Sequence, residues 1–228
     1  QEARIPARHI TAVTFTNKAS REILKPIRNV APKNQIRGLN VSTSRTFGLS
    51  LLQSETACAG LKSEFSILDA EDAKSVLLDL FKRESIDDRD VTSSVQHTIS
   101  YWKNDGLSPH QAMLQATNPQ SVLAASPYVE YDRYLKACNA VDLNNLILRP
   151  VGLFRNKLDL LVKWQATIRY LLVDEYQDTN GIQHELVKRL TQISGALTIV
   201  CDDNQSIYAW RGTRPENLSE LKVDFPTR

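Results

Sequence analysis

The chain has 228 residues, of which 42% are hydrophobic and 24% charged, so it can bury one ordinary globular core or two small ones. No run of 18 apolar residues and no N-terminal signal pattern is present, which argues against a membrane span or a secretory leader. Cys58, Cys138 and Cys201 are far apart and have no metal-ligand spacing, so we expect a reducing, cytoplasmic location.

The net charge of +2 is unevenly distributed. Residues 1–50 contain nine Lys or Arg and two Glu, an excess of seven positive charges, and the rest of the chain carries five net negative charges. A basic N-terminal block suits binding to a phosphate backbone. A solvated basic helix face would have the same composition, and charge alone leaves both interpretations open.

The N-terminal segment predicts a strand, a helix, a second strand and a second helix. Residues 10–15 form a β-branched apolar run typical of a buried strand, and Thr16 or Asn17 can cap a helix over 19–27. Pro26 predicts that this helix kinks or ends there. Further signals indicate a strand over 39–43 and a helix over 47–53.

The pattern of hydrophobic residues changes between residues 55 and 155, where strand signals disappear and helical periodicity dominates. Helices are predicted over 91–103, 109–116, 122–137 and 143–154, separated by Gly- and Pro-containing turns. Strand signals return at 169–173 and 196–200, on either side of a helix over 182–190. The pattern predicts an α/β fold with a parallel sheet, interrupted by an all-helical insertion.

The strand over 169–173 runs into Asp174 and Glu175, which is the Walker B arrangement. Ligands of open parallel sheets bind at the carboxyl ends of the strands. The first carboxylate could hold Mg²⁺ against nucleotide phosphates, and the second could polarise the attacking water. Charged residues that merely mark where a strand reaches solvent would give the same short pattern.

The segment after the strand over 196–200 combines an amide, Gln205, with Tyr208, Trp210 and Arg211. An amide can sense a γ-phosphate, and aromatic side chains on a loop can stack on unpaired bases. This short segment could therefore contact both a nucleotide and a single-stranded nucleic acid. Core packing of the two aromatic residues is the alternative interpretation.

Three segments together resemble the UvrD/Rep-type superfamily 1 DNA helicases. Residues 12–19 (AVTFTNKA) resemble the family's motif Ia, 174–180 (DEYQDTN) its motif II and 205–212 (QSIYAWRG) its motif III. The stretches 100–105 and 135–139 are most like those of Rep-type members. The resemblance extends over essentially the whole chain, and the second and third motifs are very specific.

The resemblance implies a RecA-like parallel sheet flanked by helices. It assigns 1–54 and 156–228 to the first motor domain and 55–155 to a helical accessory subdomain. It also implies an ATP-driven 3′-to-5′ translocase that acts on single-stranded DNA and DNA junctions beside replication or repair proteins. Gln1 in place of an initiator Met and the absence of the phosphate-binding loop suggest a fragment of such a motor.

The resemblance also implies roles for individual residues. Asp174 would bind Mg²⁺, Glu175 would be the catalytic base, and Gln205 would contact the γ-phosphate of ATP. The residues expected to contact DNA are Phe15, Asn17, Thr43, Arg45, Tyr208, Trp210 and Arg211.

Several positions depart from the family pattern. None of the eight glycines is followed by lysine, so the Gly-Lys phosphate-binding loop is absent from these 228 residues, and we expect little ATPase activity from them alone. Arg45 follows Ser44 where Phe-His is usual, and Asn144-Asn145 replaces an Asp pair. Cys201 and Asn204 also differ from the usual residues. A degenerate, non-catalytic DNA-binding module and a partner-docking domain therefore remain as alternatives.

Overall fold

The computed structural model describes residues 5–83, 88–192, 196–202 and 216–225. The chain divides into two compact units. One, here called the sheet unit, comprises residues 1–50 and 151–228, and the other, the helical unit, comprises residues 51–150. The helical unit thus starts at residue 51 rather than at the expected 55 and ends at 150 rather than 155.

The described residues contain six strands and ten α-helices. The strands are β1 (Ile10–Thr14), β2 (Asn40–Thr43), β3 (Ser66–Leu68), β4 (Ala140–Asp142), β5 (Tyr170–Val173) and β6 (Ala196–Ile199). The helices are α1 (Asn17–Val30), α2 (Ser44–Ser54), α3 (Ala70–Arg83), α4 (Arg89–Asn104), α5 (Pro109–Gln115), α6 (Pro119–Ala137), α7 (Asn145–Asn156), α8 (Leu158–Thr167), α9 (Gly181–Thr191) and α10 (Glu216–Asp224).

The sheet unit contains a four-stranded sheet in the order β2-β1-β5-β6, and every neighbouring pair is parallel. β1 is central, and its residues 11–14 are buried, as expected for an apolar, β-branched run covered on both faces. The predicted α/β class with a parallel sheet is therefore confirmed. The parallel register places the carboxyl ends of all four strands at one edge of the sheet.

Helix α1 begins where its capping signal predicts and continues beyond its expected end. The Thr16 hydroxyl accepts a hydrogen bond from the Ala19 backbone N–H at 3.1 Å, which identifies Thr16 as the N-cap. The expectation that Pro26 ends the helix near residue 27 is wrong, because α1 extends to Val30 with Pro26 inside it. Proline removes one hydrogen bond, and this exposed helix tolerates that loss.

The expectation of an all-helical insertion is also wrong. β3 and β4 form a two-stranded parallel sheet inside the helical unit, with Ser66 paired to Ala140 and Leu68 to Asp142. Three-residue strands are too short to show a periodicity of two, so the sequence pattern could not reveal them. Asn139 supports the pair, since its side chain accepts from the Lys62 N–H and donates to the Glu64 carbonyl, both at 2.9 Å.

The helical unit has an apolar core formed mainly by α3, α4, α5 and α6. Its members are Ala73, Leu77, Phe81, Val95, Ile99, Trp102, Ala112, Ala124, Ala125, Tyr128, Tyr131, Leu135 and Ala140. The rings of Trp102 and Tyr128 stack at a centroid distance of 5.9 Å. This core explains why the residues between the two halves of the sheet unit form a compact unit of their own.

A buried ion pair lies beside this core. Lys103 Nζ is 2.6 Å from Asp142 Oδ2, and the lysine side chain is 1% exposed. The same carboxylate accepts a hydrogen bond from the Tyr131 hydroxyl, and its other oxygen accepts from the backbone N–H groups of Asn144 and Asn145. Asp142 therefore connects α4, α6 and the start of α7.

Candidate functional site

The candidate site lies at the carboxyl edge of the four-stranded sheet. In register, Thr14 of β1 is opposite Thr43 of β2, and Val13 of β1 is opposite Val173 of β5. The segments that follow these strands therefore start side by side. The sheet brings together the chain segments that carry motifs Ia and II, which are separated by more than 150 residues in sequence.

Asp174 continues the ladder between β5 and β1, because its backbone N–H donates to the Val13 carbonyl at 2.9 Å. Its side chain is at the end of the strand and is partly exposed. Glu175 then turns the chain with a left-handed backbone, φ 54° and ψ 45°. Such a conformation costs a non-glycine residue on the order of 1–3 kcal/mol, and strained residues of this kind cluster at functional sites.

The turn after Glu175 is fixed by backbone hydrogen bonds. The Tyr176 N–H donates to the Val200 carbonyl at 3.1 Å, and the Asp178 N–H donates to the Glu175 carbonyl at 3.0 Å. Tyr176, Gln177 and Asp178 form a buried 3-10 turn. These contacts attach the segment after β5 to the end of β6 and define the direction of the chain at the two carboxylates.

Gln177 links the Glu175 carboxylate, the 3-10 turn and the Asp202 backbone. The sequence pattern did not predict a function for this residue. Its side chain is buried, with the residue 2% exposed, and its Nε2 lies 2.5 Å from Oε2 of Glu175. Its Oε1 accepts the Asp202 backbone N–H at 3.1 Å. An amide two residues beyond a Walker B pair was the available sequence signal, but only the structure shows what the amide contacts.

A polar network lies behind the turn, between the 3-10 segment, α9 and α10. The Tyr176 hydroxyl is 2.6 Å from His184 Nδ1, and His184 Nε2 is 3.1 Å from Asp224 Oδ2. Lys188 Nζ donates to the other Asp224 oxygen at 2.6 Å. Burial raises the pKa of the Tyr176 phenol, so this hydroxyl remains protonated at neutral pH. The network anchors the motif II turn to two helices.

The residues expected to contact DNA from the N-terminal segment lie at the same edge. Phe15 directly follows β1 and is half-buried, and Asn17 is exposed at the first position of α1. Thr43 ends β2, where its hydroxyl accepts from the Thr46 N–H at 3.2 Å and caps α2. Arg45 is exposed in the first turn of α2. A purely structural role is thus visible for Thr43, but not for Asn17.

Helix α1 also carries a stripe of exposed basic residues. Lys18, Arg21, Lys25 and Arg28 are all exposed. Their spacing of three, four and three residues keeps them on one side of a helix with 3.6 residues per turn. We call these four residues the α1 basic stripe. Glu22 lies beside it, 3.8 Å from the Lys18 ammonium. The basic N-terminal block therefore includes an exposed helix face. Such a face could still bind a phosphate backbone, so the two interpretations of the block are compatible.

Gln205, Tyr208, Trp210 and Arg211, together with Asn204, lie outside the described residues. Their expected roles stay predictions. The described chain reaches Asp202, and Cys201 is exposed two residues after β6 ends at Ile199. The described chain therefore reaches the edge that carries motifs Ia and II three residues before Gln205.

Of the two departures at Asn144 and Asn145, the structure explains the Asn144 side chain, whereas the side-chain nitrogen of Asn145 is buried with no hydrogen-bond partner on any described residue. Asn144 Nδ2 donates to the Ser100 carbonyl at 3.2 Å and to Asn104 Oδ1 at 3.1 Å. The residue Asn145 is 2% exposed, and its N–H donates to Asp142 Oδ1 at 2.8 Å. The Asn144 side chain and the Asn145 backbone N–H help to fix the start of α7.

The candidate metal ligand at this edge is the Asp174 carboxylate. Among the described residues, no three His, Cys, Asp or Glu side chains gather in a way that could hold a metal ion. Mg²⁺ in nucleotide sites is commonly held by one or two carboxylates, with water and substrate phosphates as its other ligands. Asp174 at the strand end fits such a role and would be one ligand among several.

No helix within the described ranges is both long and apolar enough to cross a membrane. A parallel sheet with paired carboxylates at the carboxyl end of an inner strand is typical of the α/β folds that bind ligands at this edge. The chain belongs to the UvrD/REP helicase N-terminal domain family, whose model matches residues 1–226.

Individual relatives agree with this assignment. The chain is 46% identical over 220 residues to the ATP-dependent DNA helicase Rep of Escherichia coli (strain K12), covering 96% of this chain and 33% of that protein. It is 34% identical over 219 residues to the ATP-dependent DNA helicase PcrA of Staphylococcus aureus (strain Mu50 / ATCC 700699), covering 96% of this chain and 30% of that protein. The chain spans about a third of the length of these curated relatives.

Proposed function

We propose that these residues form part of the first motor domain of an ATP-dependent helicase that moves 3′ to 5′ along single-stranded DNA. The observation that carries the proposal is the position of Asp174 and Glu175 at the carboxyl edge of a parallel sheet, beside the segment that follows β1. ATP chemistry and a DNA track would then share one edge, so that hydrolysis could drive movement.

On the nucleotide side, Asp174 would bind Mg²⁺, and Glu175 would orient the attacking water and accept its proton. The metal, when bound, would neutralise charge on the β- and γ-phosphates. Glu175 is suited to act as a base because it directly follows Asp174 at the strand end and its side chain is only partly buried. Gln205 would contact the γ-phosphate and couple its loss to motion of the chain.

On the DNA side, Phe15, Tyr208 and Trp210 would stack on bases, and Arg211 would lie near the DNA. Asn17, Thr43 and Arg45 would contact the backbone, since the first turns of α1 and α2 point N–H groups toward the same edge. Single-stranded DNA and DNA junctions are the proposed substrates, with replication or repair proteins as partners.

Residues 1–228 by themselves should hydrolyse ATP slowly or not at all, because no glycine in them is followed by the lysine that cradles phosphates. The decisive assay therefore uses the complete product of the gene. Its ATPase rate is measured with and without single-stranded DNA, for the wild type and for Glu175→Gln. Glu64→Gln, an exposed glutamate in the helical unit, is the matched control.

We expect DNA to stimulate the wild-type ATPase, and we expect Glu175→Gln to lower kcat by about 10²–10⁴-fold, the usual contribution of a general base. Glu64→Gln should retain the wild-type rate. Unwinding of duplexes with a single-stranded tail at either the 3′ or the 5′ end tests direction. Equal unwinding of both substrates would refute the proposed polarity.

A second candidate function is a non-catalytic DNA-binding module. The missing Gly-Lys pair favours it for these 228 residues, and the exposed α1 basic stripe would supply its phosphate contacts. Binding of single-stranded DNA by a complete gene product without any ATPase activity would establish this alternative. A folded product that binds no DNA would favour a partner-docking role instead.

A further inference from the structure

The side chain of Gln177 is oriented unambiguously by its two partners. The Asp202 backbone N–H can only donate, so the amide oxygen of Gln177 must face it, at 3.1 Å. The amide NH₂ group must then face the Glu175 carboxylate, 2.5 Å away. A hydrogen bond from an amide to a carboxylate is charge-assisted and therefore stronger than a neutral one.

Burial makes this arrangement rigid. Gln177 is 2% exposed and belongs to the 3-10 turn that is fixed by backbone hydrogen bonds to Glu175 and, through Tyr176, to Val200. Glu175 itself is only partly buried, and its backbone is in the left-handed region. Gln177 is therefore a fixed donor that acts on one oxygen of a less enclosed carboxylate.

We propose that Gln177 is the positioning residue that holds the Glu175 carboxylate in one orientation, leaving its second oxygen to accept the proton of water. This inference rests on the proposed role of Glu175 as catalytic base. A base is effective only within hydrogen-bond reach of the proton that it removes, and small misplacements cost large factors in rate. The amide also ties the carboxylate to Asp202, three residues before Gln205.

A merely structural glutamine would give a different result, and the chain offers a matched control. Gln165 is 5% exposed, lies in the same unit, and donates its Nε2 to the Arg189 carbonyl at 2.7 Å. Replacing either glutamine with methionine removes one buried amide donor and preserves most of the side-chain length. Within the part of the chain that the structure describes, Gln165 has no hydrogen bond to Asp174 or Glu175.

The test compares Gln177→Met and Gln165→Met in the complete gene product. Gln177→Met should lower kcat for DNA-stimulated ATP hydrolysis by about 10- to 100-fold and leave KM for ATP within about threefold. Gln165→Met should leave kcat within about twofold, although both variants lower the midpoint of thermal unfolding. Equal kcat losses in the two variants, or an unchanged kcat in Gln177→Met, would overturn the inference.

The wild type and Glu175→Gln separate this outcome from failure of the proposed function. If the wild type lacks DNA-stimulated ATPase, or if Glu175→Gln retains it, the proposed function fails and the inference fails with it. If both behave as expected and Gln177→Met has the same kcat as Gln165→Met, only the proposed positioning role of Gln177 is refuted.

A double-mutant cycle without nucleotide or metal tests the contact itself. Thermal midpoints are measured in EDTA for Glu175→Gln, Gln177→Met and the double variant. The double variant should lose less than the sum of the two single losses, because Glu175→Gln removes the charge of the acceptor and Gln177→Met removes the donor of the same charge-assisted hydrogen bond. Glu64→Gln combined with Gln177→Met should be additive. Additivity for Glu175 and Gln177 would show that the amide does not hold the carboxylate and would refute the proposal.

Discussion

The buried ion pair of the helical unit gives the sharpest stability prediction. Lys103 is 1% exposed, its ammonium lies 2.6 Å from Asp142 Oδ2, and it is 4.9 Å from the centre of the Tyr131 ring. Lys103→Met keeps much of the aliphatic volume and removes the positive charge. The Asp142 carboxylate would then remain buried without its cation, which is the costly half of breaking an ion pair.

The magnitude follows from what Asp142 would still contact. Breaking a buried pair by removing one partner costs about 3–5 kcal/mol. Asp142 would keep the Tyr131 hydroxyl and the backbone N–H groups of Asn144 and Asn145. These donors place the expected loss near the lower end, at about 3 kcal/mol, which is a large share of a typical free energy of unfolding of about 5–15 kcal/mol.

The assay is urea unfolding followed by far-ultraviolet circular dichroism. Lys136→Met is the matched control, because Lys136 and Asp132 are also 2.6 Å apart but the lysine side chain is 68% exposed. That exposed pair should contribute about 0.5 kcal/mol or less. Adding Asp142→Asn to Lys103→Met should recover part of the loss. Similar losses from Lys103→Met and Lys136→Met would refute the reasoning.

The same pair predicts an acid response. Burial alone would raise the pKa of Asp142, but the Lys103 charge and the hydrogen bonds to the carboxylate outweigh burial and lower it. The unfolded chain therefore binds the proton more readily, so the contribution of Asp142 to stability is present above about pH 4 and is lost as the pH falls further. In Lys103→Met burial dominates, and the deficit relative to wild type should shrink on acidification. A loss of stability in Lys103→Met that is the same at every pH would contradict this prediction.

Three further predictions concern the helix cap and DNA binding. Thr16→Ala removes the N-cap of α1 and should lower the free energy of unfolding by about 1 kcal/mol in the same urea assay, whereas no change would dismiss the cap. Lys25→Ala with Arg28→Ala should lower the slope of log K against log salt for single-stranded DNA by about 1.4, at about 0.7 per phosphate contact. An unchanged slope would exclude that part of the α1 basic stripe. Tyr208→Ala with Trp210→Ala should weaken binding by about 1–3 kcal/mol per lost base stack and leave the slope unchanged, as measured by fluorescence anisotropy. An affinity equal to that of the wild type would show that the two rings do not contact DNA and would favour a role in core packing.

Local sequence signals located most elements of the sheet unit. The apolar, β-branched runs that became β1, β5 and β6 are short and uninterrupted, and Thr16 marks the start of α1. The ends of the helices, and one whole helix, could not be located from these signals. Pro26 is tolerated within α1, and α8 was not predicted, since its one buried face is brief and no strong cap precedes it.

The sequence by itself determined the family and marked Asp174 and Glu175 as candidate site residues, because motif II is a contiguous run of specific residues. Only the tertiary structure decided the partners of those residues. The contact between Gln177 and Asp202 spans 25 positions, the pair of β3 with β4 joins segments more than 70 residues apart, and Lys103 meets Asp142 across 39. Contacts of this kind depend on how distant segments pack in three dimensions, which no local periodicity encodes.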